Sequence, residues 1–130
     1  MIIGIGTDII KTARFKGMTD SFMAKVYTPY ERAYILGKGQ ASHITAAGIF
    51  AAKEAVVKAL GTGFRGFWPN QVEIVHDGYG KPRVVLHGEA ARVLGRLVRR
   101  KKRFGRRCSI LLSISHTEDE AVAFVVVSVD

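Results

Sequence analysis

The side chains best suited to chemistry lie in an otherwise apolar segment, FAAKEAVVKALGTG, at positions 50–63. Within it Lys53, Glu54 and Lys58 carry charge, and a helical repeat of 3.6 residues places Glu54 beside Lys58 on one face. The other residues of that face are mostly small: Ala47, Phe50, Ala51 and Gly61. The pair is either an ordinary i,i+4 contact worth about 0.2–0.5 kcal/mol, or part of a site where a bound ion or phosphate compensates for buried charge.

A second carboxylate, Asp8, lies in the opening segment GIGTDII at positions 4–10. The alternation of a β-strand puts Asp8 on the face that carries Gly4 and Gly6. Magnesium takes few protein ligands, keeps part of its water shell and binds substrate phosphates. Asp8 and Glu54 are therefore candidate Mg²⁺ ligands. The same segment is not a dinucleotide-binding fingerprint, because Ile9 stands where the third glycine is required.

The remaining polar candidates also have structural explanations. Gly61 and Gly63 would let backbone N–H groups approach a phosphate, but their spacing favours a simple helix C-cap. His116 lies in SISHTED at 113–119, at the tip of a predicted hairpin, where an exposed polar turn and a binding site are equally good interpretations. Cys108 begins an apolar segment with no base beside it, which favours a structural thiol.

Helices and antiparallel strands are mixed along the chain, which predicts a single α+β domain over residues 1–130. A first strand is predicted at 1–10, short helices within 12–26, and a helix that begins with a capping box at Thr28, Pro29 and Glu31 and ends near Gly37. The long helix of the charged segment is expected from about Ala41 to Leu60. After it the sequence predicts a hairpin (72–77 and 81–87), a helix from 89 to about 102 and a second hairpin (109–115 and 121–129).

Charge is distributed unevenly along the 130-residue chain. Its formal net charge is +9, and the segment 92–107 holds nine Lys and Arg residues and no acid, so the rest of the chain is balanced. Such a patch attracts polyanions, whether nucleic acid, a membrane surface or an acidic protein. A single cysteine excludes an internal disulfide and suits a reducing compartment. Because no apolar run approaches the length of about 20 residues that spans a bilayer, a soluble cytoplasmic protein is expected.

Four segments together resemble the holo-[acyl-carrier-protein] synthases, the small phosphopantetheinyl transferases: GIGTDII at 4–10, FAAKEAVVKALGTG at 50–63, DGYGKP at 77–82 and SISHT at 113–117. Their order and spacing span nearly the whole chain. The resemblance implies an enzyme with an antiparallel sheet packed against a long central helix. It also implies a reaction in which the 4′-phosphopantetheine arm of coenzyme A is transferred to a serine of an acidic acyl carrier protein. Adenosine 3′,5′-bisphosphate is then the released product, Mg²⁺ the cofactor, and fatty acid biosynthesis, within lipid metabolism, the setting.

The resemblance also assigns residues to roles. Asp8 and Glu54 match metal ligands, and together with Lys58 they match the catalytic group, in which Glu54 is a candidate base and Lys58 assists the leaving group. The residues that match coenzyme A-binding positions are Lys53, Lys58, Gly61, Gly63, Lys81, Pro82, His116 and Thr117. The residues that match the carrier-protein docking positions are Arg14, Met18 and Lys25. The family builds its sites between the subunits of a homotrimer, so the neighbouring chain is expected to supply Lys81, Pro82, His116 and Thr117.

One position departs from the family pattern. Relatives usually place arginine just before FAAKEA, and another basic residue earlier in that helix, to help bind coenzyme A phosphates. This chain has Ile49 at the arginine position and only His43 nearby. Weaker nucleotide binding, rescue by Lys38 or by the basic run, and a different pantetheine donor are the alternatives.

Two other functions remain open from the sequence. The run RRKKRFGRR, within 92–107, fits a small nucleic-acid-binding module, although only Phe104 interrupts it as a stacking residue. The second is a relative that keeps the fold but only binds coenzyme A. Incubation with apo carrier protein, coenzyme A and Mg²⁺, followed by weighing the carrier protein, separates all three functions.

Overall fold

The computed structural model describes residues 1–101 and 106–130. In chain order the elements are β1 (Ile2–Lys11), α1 (Asp20–Val26), α2 (Pro29–Leu36), α3 (Ser42–Leu60), β2 (Val72–His76), β3 (Pro82–Leu86), α4 (Gly88–Arg100), β4 (Cys108–His116) and β5 (Glu120–Val129). Short 3₁₀ segments at Thr12–Phe15, Gly39–Ala41 and Pro69–Gln71 connect some of them. The elements agree with those predicted, with boundaries that differ by a few residues.

Two antiparallel sheets pack against α3. The larger sheet has the strand order β1-β5-β4, and β2 and β3 form a separate hairpin. Helix α3 packs along β1 and β5 of the larger sheet and also contacts β2 and α2. The predicted α+β class, with an antiparallel sheet against one long central helix, is confirmed.

The first strand lies very close to α3 because two of its residues lack a side chain. A Cβ atom on Gly6 would be 1.9 Å from the carbonyl oxygen of Ala55, and one on Gly4 would be 2.2 Å from that of Ala59. Real Cβ atoms are not found at such distances, so only glycine permits this approach of the two backbones. Strand β1 is thereby held directly against the helix that carries Glu54.

The two faces of β1 differ as the period of two predicts. Gly6 and Ile10 are buried on the helix side, whereas 62% of Ile5 and 64% of Ile9 are exposed on the opposite side. Asp8 continues the row of Gly4 and Gly6, and it is half-buried. The strand therefore places the Asp8 carboxylate on the side of α3 and exposes the apolar side chains of Ile5 and Ile9 on the opposite side.

A buried ion pair fixes α3 to the rest of the core. Lys53 and Glu31 have no exposed side-chain surface, and Nζ of Lys53 lies 2.8 Å from Oε1 of Glu31. Nζ also donates to the carbonyl oxygens of Pro69 and Val72, and Oε2 of Glu31 accepts from the backbone N–H of Ile74. Burial lowers the pKa of Lys53, and the Glu31 carboxylate opposes that shift. The pair is stable here because every donor of the ammonium group has an acceptor.

The predicted capping box of α2 is confirmed. The hydroxyl of Thr28 accepts from the backbone N–H of Glu31, the Glu31 carboxylate accepts from the backbone N–H of Thr28, and Pro29 begins the helix. Glu31 thus serves the cap of α2 and the buried pair with Lys53 at once. The start of α2 and the middle of α3 are joined through this one carboxylate.

The predicted basic helix is confirmed as α4, and its inner face is apolar. Val93 and Leu97 are buried, and Leu94 and Val98 are half-buried, while the arginines point outward. The helix ends at Arg100, two residues before its predicted end. Of the predicted basic run, Lys102 and Arg103 lie outside the described residues, as does Phe104.

In the described ranges 1–101 and 106–130, no helix has both the length and the apolar composition needed to cross a membrane.

We expect Gly6→Ala to lower the free energy of unfolding by about 1–3 kcal/mol, because the added methyl group must push β1 away from α3. Urea unfolding followed by circular dichroism measures the difference. Gly78→Ala is the matched control: a Cβ there meets no heavy atom within 4 Å, and its φ is not positive. Equal stability of the two variants would show that the close approach does not constrain the fold.

Candidate active site

Asp8 of β1 and Lys58 of α3 form an ion pair where the strand and the helix meet. Nζ of Lys58 donates to Oδ1 of Asp8 at 3.2 Å and to the carbonyl oxygen of Thr7 at 2.9 Å. The side chain of Asp8 is 18% exposed and that of Lys58 is 55% exposed. The ammonium group is therefore anchored at the strand yet open to an incoming phosphate.

Glu54 lies one helical turn before Lys58 and is half-buried. Burial raises the pKa of Glu54, and the Asp8 carboxylate raises it further, while Lys58 and Arg14 act in the opposite direction. Because Lys58 pairs with Asp8 and Glu54 lies one turn before Lys58, the two acids that the sequence singled out from distant segments lie on the same side of α3.

The two carboxylates fit a Mg²⁺ ion that shares its coordination with a substrate. Within residues 1–101 and 106–130, no group of three or more His, Cys, Asp or Glu side chains could hold a metal by itself. Mg²⁺ commonly takes only one or two protein carboxylates and completes its shell with phosphate oxygens and water. Asp8 and Glu54 supply that number. The donor set suits an ion completed by a diphosphate.

Lys53 does not belong to this site, although it was predicted to bind coenzyme A. It precedes Glu54 by one position, which turns its side chain by about 100 degrees around the helix and into the core. Its ammonium group is fully buried against Glu31 and two backbone carbonyl oxygens. A ligand phosphate could reach it only by displacing the buried pair, so the prediction that Lys53 binds coenzyme A is wrong.

The glycine loop after α3 has one structural role and one open position. Gly61 caps the helix with φ of 82°, and its N–H donates to the carbonyl oxygens of Val57 and Lys58. That N–H group is therefore engaged in the C-cap that the spacing favoured. Gly63 also has a positive φ, of 63°, and a Cβ on either glycine would meet no atom within 4 Å. A ligand can approach this loop closely.

Two of the residues predicted to hold the nucleotide lie together, away from Asp8, Glu54 and Lys58. Pro82 and His116 line a cavity of about 200 Å³ together with Ile49. Lys81 is exposed immediately before β3, and Thr117 follows β4, where its hydroxyl accepts from the backbone N–H groups of Asp119 and Glu120. Neither Asp8, Glu54 nor Lys58 lines this cavity.

Tyr34 and His76 line the same cavity and were not predicted as site residues. Their rings stack with centroids 4.0 Å apart and an interplanar angle of 4°, and Nζ of Lys38 lies 4.6 Å from the Tyr34 ring. Burial lowers the pKa of His76, and the positive charge of Lys38 lowers it further. These residues come from α2, the segment after it and β2, so no local spacing in the sequence signals that they meet.

The predicted docking residues lie on three neighbouring segments. Arg14 is in the 3₁₀ segment after β1, Met18 is in the connection to α1, and Lys25 is in the last turn of α1. Arg14 and Lys25 are exposed, and Met18 is half-buried. The 3₁₀ segment that carries Arg14 contacts α3, and the positive charge of Arg14 lowers the pKa of Glu54.

Comparison with known proteins gives consistent matches over nearly the whole chain. The model of the 4′-phosphopantetheinyl transferase superfamily matches residues 4–124. The chain is 44% identical to the holo-[acyl-carrier-protein] synthase of Clostridium acetobutylicum, with 99% of each chain covered. It is similar to the solved holo-[acyl-carrier-protein] synthase of Neisseria meningitidis, with a TM-score of 0.78, 34% identity, and coverage of 98% of this chain and 99% of that chain. The synthase of Bacillus anthracis, solved in complex with CoA (3′,5′-ADP), has a TM-score of 0.75 and 37% identity, and the match covers 98% of this chain and 96% of that chain.

We expect Asp8→Asn to lower the pKa of Glu54, because the substitution removes a like charge and frees Lys58 to approach Glu54. A ¹³C NMR titration of the glutamate carboxyl groups measures the shift. In the unaltered protein the folded-state pKa lies above the unfolded value, so this group's contribution to stability is present at low pH. It is lost as the pH rises from the unfolded toward the folded pKa. An unchanged or higher Glu54 pKa in Asp8→Asn would mean that the two acids do not interact.

Proposed function

This chain belongs to the 4′-phosphopantetheinyl transferase superfamily, and from that premise we propose how it acts as a holo-[acyl-carrier-protein] synthase. The enzyme transfers the 4′-phosphopantetheine arm of coenzyme A to acyl carrier protein. The observation that carries the proposal is the meeting of Asp8, Glu54 and Lys58 where β1 lies against α3. A site of two acids and one exposed lysine suits chemistry at a diphosphate, where negative charge must be bound and one proton removed.

In the proposed reaction, the hydroxyl oxygen of a carrier-protein serine attacks the phosphorus of coenzyme A that bears the pantetheine arm. A new P–O bond joins the serine to phosphopantetheine, and the bond from that phosphorus to the bridging oxygen breaks. Adenosine 3′,5′-bisphosphate leaves with the bridging oxygen, and the serine proton passes to a base. The protein must therefore accept one proton and stabilise the charge of the leaving group.

Glu54 is the proposed base, either directly or through a water molecule. Glu54 is half-buried one helical turn before Lys58, so its carboxylate lies on the helix face where the serine hydroxyl must approach the diphosphate. Lys58, anchored at Thr7 and Asp8, presents its exposed ammonium group to the departing phosphate. Mg²⁺, held by Asp8 and Glu54, would supply positive charge to the diphosphate oxygens.

The nucleotide is proposed to bind with help from a neighbouring subunit. Pro82 and His116 line a cavity that is separate from the acidic pair in one protomer, and Lys81 lies beside Pro82. Such a division is expected when one chain provides the acids and the next chain provides the nucleotide contacts, Thr117 included. Ile49 makes the cavity apolar where relatives place arginine. Lys38, which stacks on Tyr34 of this cavity, is the cation best placed to replace it.

The exposed face of the larger sheet supports assembly into a homotrimer. Ile5, Ile9, Leu111, Val122 and Phe124 are all exposed, by 36% to 64%. Residues of this set occupy neighbouring strands in register, with Ile9 opposite Val122 and both Ile5 and Leu111 opposite Val126. A contiguous apolar sheet face of this kind favours burial against another subunit.

Carrier protein is proposed to dock beside the acids through Arg14, Met18 and Lys25. Two exposed cations with an apolar side chain between them suit an acidic partner, and Arg14 lies close enough to affect the pKa of Glu54. A single free cysteine, Cys108, suits the reducing cytoplasm in which this partner is expected.

The central test is transfer itself. We expect the unaltered protein, incubated with apo acyl carrier protein, coenzyme A and Mg²⁺, to increase the carrier's mass by one phosphopantetheine group and to release adenosine 3′,5′-bisphosphate. Glu54→Gln should reduce turnover about 100-fold or more, because the proton acceptor is lost. Mass spectrometry and chromatography measure both products.

Asp130→Asn is the matched control for that variant, since it removes one negative charge at an exposed residue after β5. It should leave turnover unchanged. Wild-type turnover in Glu54→Gln at saturating Mg²⁺ would contradict the proposed role of Glu54.

We expect the protein to sediment at three times its chain mass of 14.3 kDa. Phe124→Asp should shift it toward the monomer and reduce transfer, because a charge would enter the apolar contact. Leu36→Asp places the same charge at a side chain that is 67% exposed on α2 and should leave the assembly intact. Full activity in a monomeric species would contradict the shared site.

A further inference from the structure

Helix α4 forms a basic cleft with the glycine loop that follows α3. We call the residues around this cleft, Thr62, Val93, Arg96, Arg99 and Arg100, the α4 cleft; it encloses about 300 Å³. Three arginines from one helix supply all of its charge. The roles assigned above to the Asp8–Glu54–Lys58 group and to the nucleotide cavity do not account for these arginines.

The charge of the α4 cleft is only partly neutralised within the chain. Glu89 accepts from Arg96 at 2.7 Å and from Arg92 at 3.3 Å. Among the described residues, Arg99 and Arg100 have no acidic partner, and both are exposed. Lys101, Arg106 and Arg107 add exposed cations nearby in the chain. Exposed arginines without an acidic partner are available to form charge-assisted hydrogen bonds with the oxygens of an incoming anion.

The position of the α4 cleft relates it to the active site. Thr62 contributes to the cleft and follows Lys58 by four residues, just beyond the C-cap of α3. The segment Pro69–Gln71 contacts both α1, which carries Lys25, and α4. One partner that covers the acidic pair could therefore touch α1 on one side and α4 on the other.

We propose that the α4 cleft is a second docking surface for acyl carrier protein, in which Arg99 and Arg100 pair with carboxylates of the carrier. This inference rests on the proposed function and extends its carrier contact beyond Arg14, Met18 and Lys25. An acidic protein surface matches a patch of many exposed cations spread along a helix. A single nucleotide phosphate is better matched by a few converging, half-buried donors.

The experiment compares two variants that remove the same charge from the same basic run. Arg99→Ala/Arg100→Ala removes two cations of the cleft, and Arg106→Ala/Arg107→Ala removes two exposed cations outside it. Calorimetric titration with apo acyl carrier protein, without coenzyme A, gives the Kd, and steady-state kinetics give the KM for each substrate. All four side chains are exposed and unpaired among the described residues, so equal unfolding temperatures are expected.

We expect the cleft variant to raise the Kd and the KM for carrier protein about two- to tenfold, with unchanged kcat and unchanged KM for coenzyme A. The control variant should change these constants by less than half as much. An equal change in both variants would show that carrier affinity depends on the net positive charge of the protein and not on contacts in the α4 cleft. A raised KM for coenzyme A alone would assign the cleft to the nucleotide. Either result overturns the inference.

Binding of nucleic acid to the α4 cleft is the alternative to binding of carrier protein. If a 20-nucleotide single-stranded DNA binds the unaltered protein and loses affinity in the cleft variant, while carrier affinity stays constant, the cleft serves nucleic acid and the inference is wrong. Absence of phosphopantetheine transfer by the unaltered enzyme would refute the proposed function separately. The titration with carrier protein requires no transfer, so it still decides whether the cleft binds the carrier.

Discussion

The site depends on the approach of one strand to one helix. Gly4 and Gly6 let the backbone of β1 reach the carbonyl oxygens of Ala59 and Ala55, at distances that any side chain would prevent. Because side chains alternate along a strand, the next residue on that face is Asp8. The same contact that closes the core therefore sets a carboxylate beside Lys58 and within electrostatic reach of Glu54. Packing and chemistry are determined here by a single geometric constraint.

Two lysines on α3 show how helix geometry separates structural from functional charge. Lys53 is turned into the core, where Glu31 and two carbonyl oxygens satisfy its donors. Lys58 leaves the helix on the side of β1 and keeps more than half of its side chain exposed. The five positions between them amount to about 500 degrees of helix rotation, so the two ammonium groups point in directions about 140 degrees apart. One holds α2, α3 and β2 together, and the other remains free to meet a ligand.

Much of the architecture could be predicted from the sequence because local signals were strong. The capping box at Thr28 and Glu31, the glycines after Leu60 and the alternation of β1 define their elements without tertiary information. The grouping of Asp8 with Glu54 and Lys58 was also predicted, from the carboxylate ligands that Mg²⁺ prefers and from the family resemblance. The burial of Lys53 was not, since its partner Glu31 belongs to another helix and already had a role in the α2 cap. The stacking of Tyr34 on His76 likewise depends on how α2 packs beside β2, which no spacing along the chain encodes.

The central claim is that Asp8 and Glu54 act as one unit around a divalent cation. Binding of Mn²⁺, used in place of Mg²⁺ and followed by water-proton relaxation in the presence of coenzyme A, tests it most directly. We expect one Mn²⁺ site in the unaltered protein, and we expect it to be lost equally in Asp8→Asn and in Glu54→Gln. Retention of that site with undiminished affinity in either variant would contradict the account.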